Sequence, residues 1–152
     1  MKVKYYYSNQ ITEGELIYRK YEYSFDFLSN KYGTFVYLIH YLQISVDVIN
    51  NKFVSVWGLH PDRVWEKTSL KVPDFKNGVI ECEGDFIEGI GCTLEECNDW
   101  LTYFDKNSGW VCVGDKDTLE DAIMFAENIG VVIVDNELVS LWMKPKMILE
   151  NK

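Results

Sequence analysis

The stretch from Thr118 to Pro145, TLEDAIMFAENIGVVIVDNELVSLWMKP, constrains the fold of this chain more than any other. Thr118 stands where a helix cap would, Asp121 can return the bond, and Leu119, Ala122, Ile123 and Ala126 fall at the three-four spacing of one buried helical face. Gly130 ends that pattern. Val131 to Val134 is apolar and β-branched, Asp135-Asn136 supplies a tight turn, and Leu138 to Met143 reads as a second strand ended by Pro145. The expectation is a helix over Leu119 to Asn128 followed by a hairpin.

The preceding chain reads mainly as strands. Lys2 to Tyr7 and Glu15 to Tyr23 carry aromatic and aliphatic residues on both faces. Thr34 to Ile49 is long, apolar and β-branched, which predicts one long strand or two with a bulge; a helix over Phe35 to Leu42 is the alternative. Asn50-Asn51 turns the chain back into a strand from Phe53 to Trp57. The nine residues INNKFVSVW (Ile49 to Trp57) resemble VDNELVSLW (Val134 to Trp142), although two hairpins drawing on the same strand and turn formers would look alike without a repeat.

Pro61 to Lys67 suits a single helical turn, Ser69 to Gly78 reads as a connection, and Val79 to Glu83 alternates as a strand. Thr93 with Glu96 matches a capping box, and Leu94, Cys97, Leu101 and Phe104 recur at three, four and three, which predicts a second helix over Leu94 to Asp105. Trp110 to Val113 is a strand. The predicted fold is α+β: one domain over 1–152, a mostly antiparallel sheet with two helices packed against it.

At 152 residues and 47% hydrophobic content, the chain has material for one packed core. The N-terminus lacks the apolar core of a signal peptide and no run is long enough to span a bilayer, so a soluble, cytoplasmic protein is expected. Cys82, Cys92, Cys97 and Cys112 are then expected as reduced thiols, and their spacing does not suit zinc. Neither metal nor cofactor is predicted. His40 and His60, the two histidines, lie in an apolar strand and before a proline turn, poor contexts for proton transfer. No nucleophile elbow or phosphate-binding glycine loop is present, and no catalytic residue is assigned.

Charge is the unusual signal. From Glu81 to Glu137 there are 15 acids against Lys106 and Lys116, a balance of −13, while the remainder of the chain is at +4. Glu95, Glu96, Glu120 and Asp121 would sit in first helical turns, where carboxylates favour the helix dipole. The other acids have no such reason, and a field of this sign repels nucleic acid and anionic lipid while it steers a basic protein. The expected contacts are Glu81, Glu83, Asp85, Glu88 and Asp99, with Phe86, Trp100 and Tyr103 as aromatic anchors.

A small, acidic, aromatic-rich chain of this kind resembles the bacterial immunity proteins that neutralise contact-dependent-inhibition and other polymorphic toxins. The resemblance lies in the style of the whole chain, so no residue roles come with it. It implies an acidic patch that covers a basic, nuclease-type toxin domain. The alternative function is a small carboxylate-using hydrolase or ligand-binding domain, with a cleft lined by some of Trp57, Trp65, Trp100, Trp110 and Trp142.

Overall fold

The computed structural model describes residues 1–84 and 89–150, and within them the fold is nearly all β, with 52% of residues in strands and 4% helical. In chain order the strands are β1 (Val3–Tyr7), β2 (Glu15–Arg19), β3 (Ser24–Leu28), β4 (Phe35–Ile39), β5 (Leu42–Asp47), β6 (Lys52–Leu59), β7 (Glu66–Lys67) and β8 (Lys76–Cys82). There follow β9 (Gly91–Thr93), β10 (Thr102–Phe104), β11 (Val111–Gly114), β12 (Ala122–Ala126), β13 (Ile129–Val134), β14 (Glu137–Met143) and β15 (Lys146–Ile148). Single 3₁₀ turns occupy Asp62–Val64 and Glu95–Cys97.

The expected α+β class is therefore wrong: the predicted 119–128 helix is replaced by a strand, and the predicted 94–105 helix by a single 3₁₀ turn and a three-residue strand. Ala122–Ala126 is buried at four of its five residues, because it is hydrogen-bonded between β8, in parallel, and β13. A short strand buried on both faces shows no alternation and imitates one face of a helix. Thr118 caps nothing here; its backbone N–H and hydroxyl both donate to Asp115. Asp121 (φ 49) and Asn128 (φ 61) are left-handed and bracket the strand, a conformation a continuous helix excludes. In the second case Leu94 and Cys97 are buried as the helical spacing requires, but one 3₁₀ turn suffices for that pair. Leu101 is then 61% exposed while Thr102 turns inward on β10.

The hairpins fall where expected. Asp135 and Asn136 are both left-handed between β13 and β14, and Asn51 is left-handed where β5 turns into β6. The 34–49 segment is two strands, joined at His40-Tyr41 with His40 at φ 57.

Two halves of the chain repeat one topology. In the first, neighbouring strands run in the order β2-β3-β6-β5-β4; in the second, β10-β11-β14-β13-β12. The similar nine-residue segments hold equivalent places. Asn51 and Asn136 are the left-handed residues, and the register shifts so that Val54 in one and Val139 in the other are the extra residues of a bulge. The halves also exchange strands. β7 follows the first half but pairs in parallel with β10, and β15 follows the second half but pairs in parallel with β2. Likewise β9 pairs with β4, and Thr12, just before β2, bridges to Ala126 on β12. Reciprocal exchange is what a two-fold arrangement of two like units produces.

The main core lies between the halves and includes Tyr18, Phe25, Ile44, Val56, Ile133 and Leu141. A second core covers the outer face of the second half alone, where Leu70, Val72 and Phe75 from the 68–75 connection pack on Trp110, Cys112, Val132 and Trp142. Gly130 admits this cover, since a Cβ there would stand 2.5 Å from the Phe75 ring. Asp105 anchors it by accepting the Leu70 N–H at 2.9 Å; with the Asn107 and Ser108 N–H groups, that bond holds its carboxyl below the usual range. Among the described residues the first half has no such cover, and Trp57, the counterpart of Trp142, is 42% exposed.

A candidate acidic docking site

The bulge at Val139 opens a depression of about 510 Å³ on the second half. Its floor depends on Gly114, at φ 110, where a Cβ would lie 2.6 Å from the Val139 carbonyl oxygen and 3.0 Å from the Trp100 ring. Glycine is required on both counts. It lets the half-buried Trp100 lie against the paired ends of β11 and β14, while the Trp100 carbonyl is held by His40 Nε2 at 3.0 Å. Tyr103, on β10, forms another wall.

Four carboxylates line this depression: Glu96, Asp99, Asp115 and Glu137. Asp115 is fixed in its ionised form, because the Thr118 hydroxyl (2.6 Å) and the Asp117 and Thr118 backbone N–H groups all donate to it and lower its pKa. The amino group of Met1 lies between Glu137, at 2.9 Å, and Glu96, at 3.3 Å. Burial alone would lower the pKa of that ammonium, but the bond to Glu137 and the charge of Glu96 outweigh it and raise the pKa.

Of the predicted contacts, Asp99, Trp100 and Tyr103 come together here. Glu81 and Glu83 are set elsewhere. Glu81 stands opposite Lys4 on β1 and Lys52 on β6, and Glu83 pairs with Lys4 at 3.4 Å. A run of acids without a base in sequence is thus met by bases from neighbouring strands. Asp85, Phe86 and Glu88 lie outside the described residues. Sequence reasoning missed Asp115 and Glu137 as partners of Asp99, and it explained Glu96 by a helix that does not form. The signal available for them was the repeated Asn-x-x-Val-Ser segment, which marks the bulge.

The equivalent bulge in the first half also opens a depression, of about 690 Å³, with Lys52, Phe53 and Val54 in the places of Glu137, Leu138 and Val139. Its charged lining is Lys31, Lys52 and Asp47. One backbone design therefore carries opposite charge in the two halves.

The remaining reactive groups are structural. His60 is buried, holds the Thr102 hydroxyl at 2.7 Å, and is pushed down to about pH 4 by burial and then by the nearby His40. It is neutral at pH 7. All four thiols are unbridged; burial pushes Cys82 up to about 12 and Cys97 to about 11, so neither is a thiolate at neutral pH. Among the described residues no group of three His, Cys, Asp or Glu is placed to hold a metal. The tryptophans do not converge: Trp100 lines the acidic depression, Trp65 a separate cavity, and Trp110 and Trp142 the second core.

No protein-family model matches the chain, and no curated protein matches it. No described helix is long and apolar enough to cross a membrane.

Proposed function

We propose that the chain is a binding protein whose acidic depression docks a basic segment of a partner protein, and that it acts in the cytoplasm as an immunity protein against a basic, nuclease-type toxin domain. The observation that carries this reading is the gathering of Glu96, Asp99, Asp115 and Glu137 around Trp100 and Tyr103, in one half only. Asp99 and Asp115, the two acids that the Met1 ammonium leaves unmatched, draw in a cationic segment, and half-buried aromatic rings supply the desolvated contact that lasting affinity needs. The same field disfavours nucleic acid. Glu83, already paired with Lys4, and Glu81, which stands opposite Lys4 and Lys52, lie outside this depression and contribute little to the docking.

Co-expression with the toxin domain encoded beside this gene tests the reading. Wild-type protein is expected to protect cells, Asp99→Lys with Trp100→Ala to lose protection, and Glu81→Gln with Glu83→Gln to keep it. Full protection by the Asp99→Lys, Trp100→Ala protein, shown folded by its circular dichroism, rules this depression out as the docking site.

A further inference from the structure

Among the described residues the sheet does not close on itself. Its two end strands, β7 and β15, each have one bonded neighbour, and both line a cavity of about 440 Å³ at the seam between the halves. Four cations surround it in a chain whose net charge is −9: Lys20, Arg63, Lys67 and Lys106. Lys20 is matched by Asp62 at 3.4 Å, the one acid in the described lining, whereas Arg63, Lys67 and Lys106 have no ion-pair partner among the described residues. The Arg63 guanidinium is oriented by the Tyr23 ring, 5.8 Å away.

The floor is Trp65 and Phe104, with Met147 and Leu149 at the rim. Trp65 is locked by rings on several sides, Tyr18 at 4.8 Å and Phe25, His60 and Phe104 each at 5.8 Å. Its Nε1–H is buried and has no acceptor among the described residues, an exception to the rule that buried donors are bonded. Phe104 follows Tyr103 on β10, so the strand's alternation presents one ring to the acidic depression and the next to this cavity.

We propose that the seam binds a phosphate monoester carried on an aromatic body, a nucleoside monophosphate in size and chemistry. Three uncompensated cations suit a group of charge about −1.5 to −2 with three acceptor oxygens, and the guanidinium fork suits its geometry. A carboxylate would leave most of that charge unmatched. The apolar rim and ring floor suit a planar body, and the volume is that of a small-ligand site placed, as such sites often are, at a junction of two units.

The test is titration of the full chain with AMP, adenosine and inorganic phosphate, followed by calorimetry and by the indole N–H resonances, with Trp65→Phe assigning the relevant one. AMP is expected to bind with a Kd below about 1 mM at low salt, more weakly as salt rises, and to shift the Trp65 indole signal. Adenosine and phosphate alone are each expected to bind at least about tenfold more weakly, and so is AMP to the Lys67→Glu, Lys106→Glu protein, whose changed side chains are exposed. No AMP binding at millimolar concentration, equal binding of phosphate and AMP, or unchanged binding by the double variant would each overturn the proposal.

Discussion

The depressions beside Val139 and Val54 share a bulge, a left-handed asparagine and a buried serine, yet one is walled by four acids and the other by two lysines and an acid. Backbone geometry was kept while surface charge diverged. The same contrast holds one layer deeper, where Trp142 is fully buried beneath Phe75 and Trp57 stands half in solvent. What the halves share therefore builds the sheet, and what they do not share is where selective recognition has room to reside.

The sharpest way to break this comparison is to truncate the paired tryptophans. Trp142→Ala empties the second core and removes the indole that donates to Ser140 Oγ at 2.9 Å, with an expected loss of about 3–5 kcal/mol. Trp57→Ala is expected to cost under about 1 kcal/mol. Urea melts of both proteins check this, and equal losses would show that the 68–75 cover does not distinguish the halves.

Next in size is a pH effect at the junction. Below about pH 6.5 the unfolded chain takes up a proton at His60 that the folded chain, with its ring near 4, refuses. Stability is then expected to fall by about 3 kcal/mol between those values and to level off below them. His60→Gln should remove that part of the slope while leaving the acid-range loss contributed by Asp105 and Asp115. A wild-type slope in the variant would mean that the ring is solvated.

Smaller still is the effect of Gly114→Ala, expected to cost about 1–3 kcal/mol and to displace Trp100, since the new Cβ would stand 2.6 Å from the Val139 carbonyl oxygen and 3.0 Å from the Trp100 ring. A changed Trp100 indole resonance reports the movement. An unmoved ring with unchanged stability would show that the depression's floor tolerates a side chain.

The hairpin turns at Asn50-Asn51 and Asp135-Asn136 could be read directly, because left-handed asparagine and flanking β-branched residues are local signals. The 122–126 strand could not. Its pairing with Lys76 and Asn77 comes from a distant part of the chain, and burial on both faces erases the alternation that identifies strands. The candidate site was half legible for the same reason: Asp99, Trp100 and Tyr103 are sequence neighbours, but Asp115 reaches them through the pairing of β10 with β11 and Glu137 through that of β11 with β14. Nor could sequence show that Lys4 and Lys52 flank Glu81 from two other strands.

The smallest changes in stability, under about 0.5 kcal/mol each, are expected from Asp99→Asn in the acidic depression and Lys31→Gln in its counterpart, both at exposed positions. Their effects on binding separate the two halves. The decisive measurement is the association rate with the adjacent toxin domain as a function of ionic strength, for wild-type protein and for these two variants. A steep fall with salt that Asp99→Asn flattens and Lys31→Gln leaves unchanged is the predicted result. Equal salt dependence in all three proteins would contradict the claim that the acidic depression is the docking site.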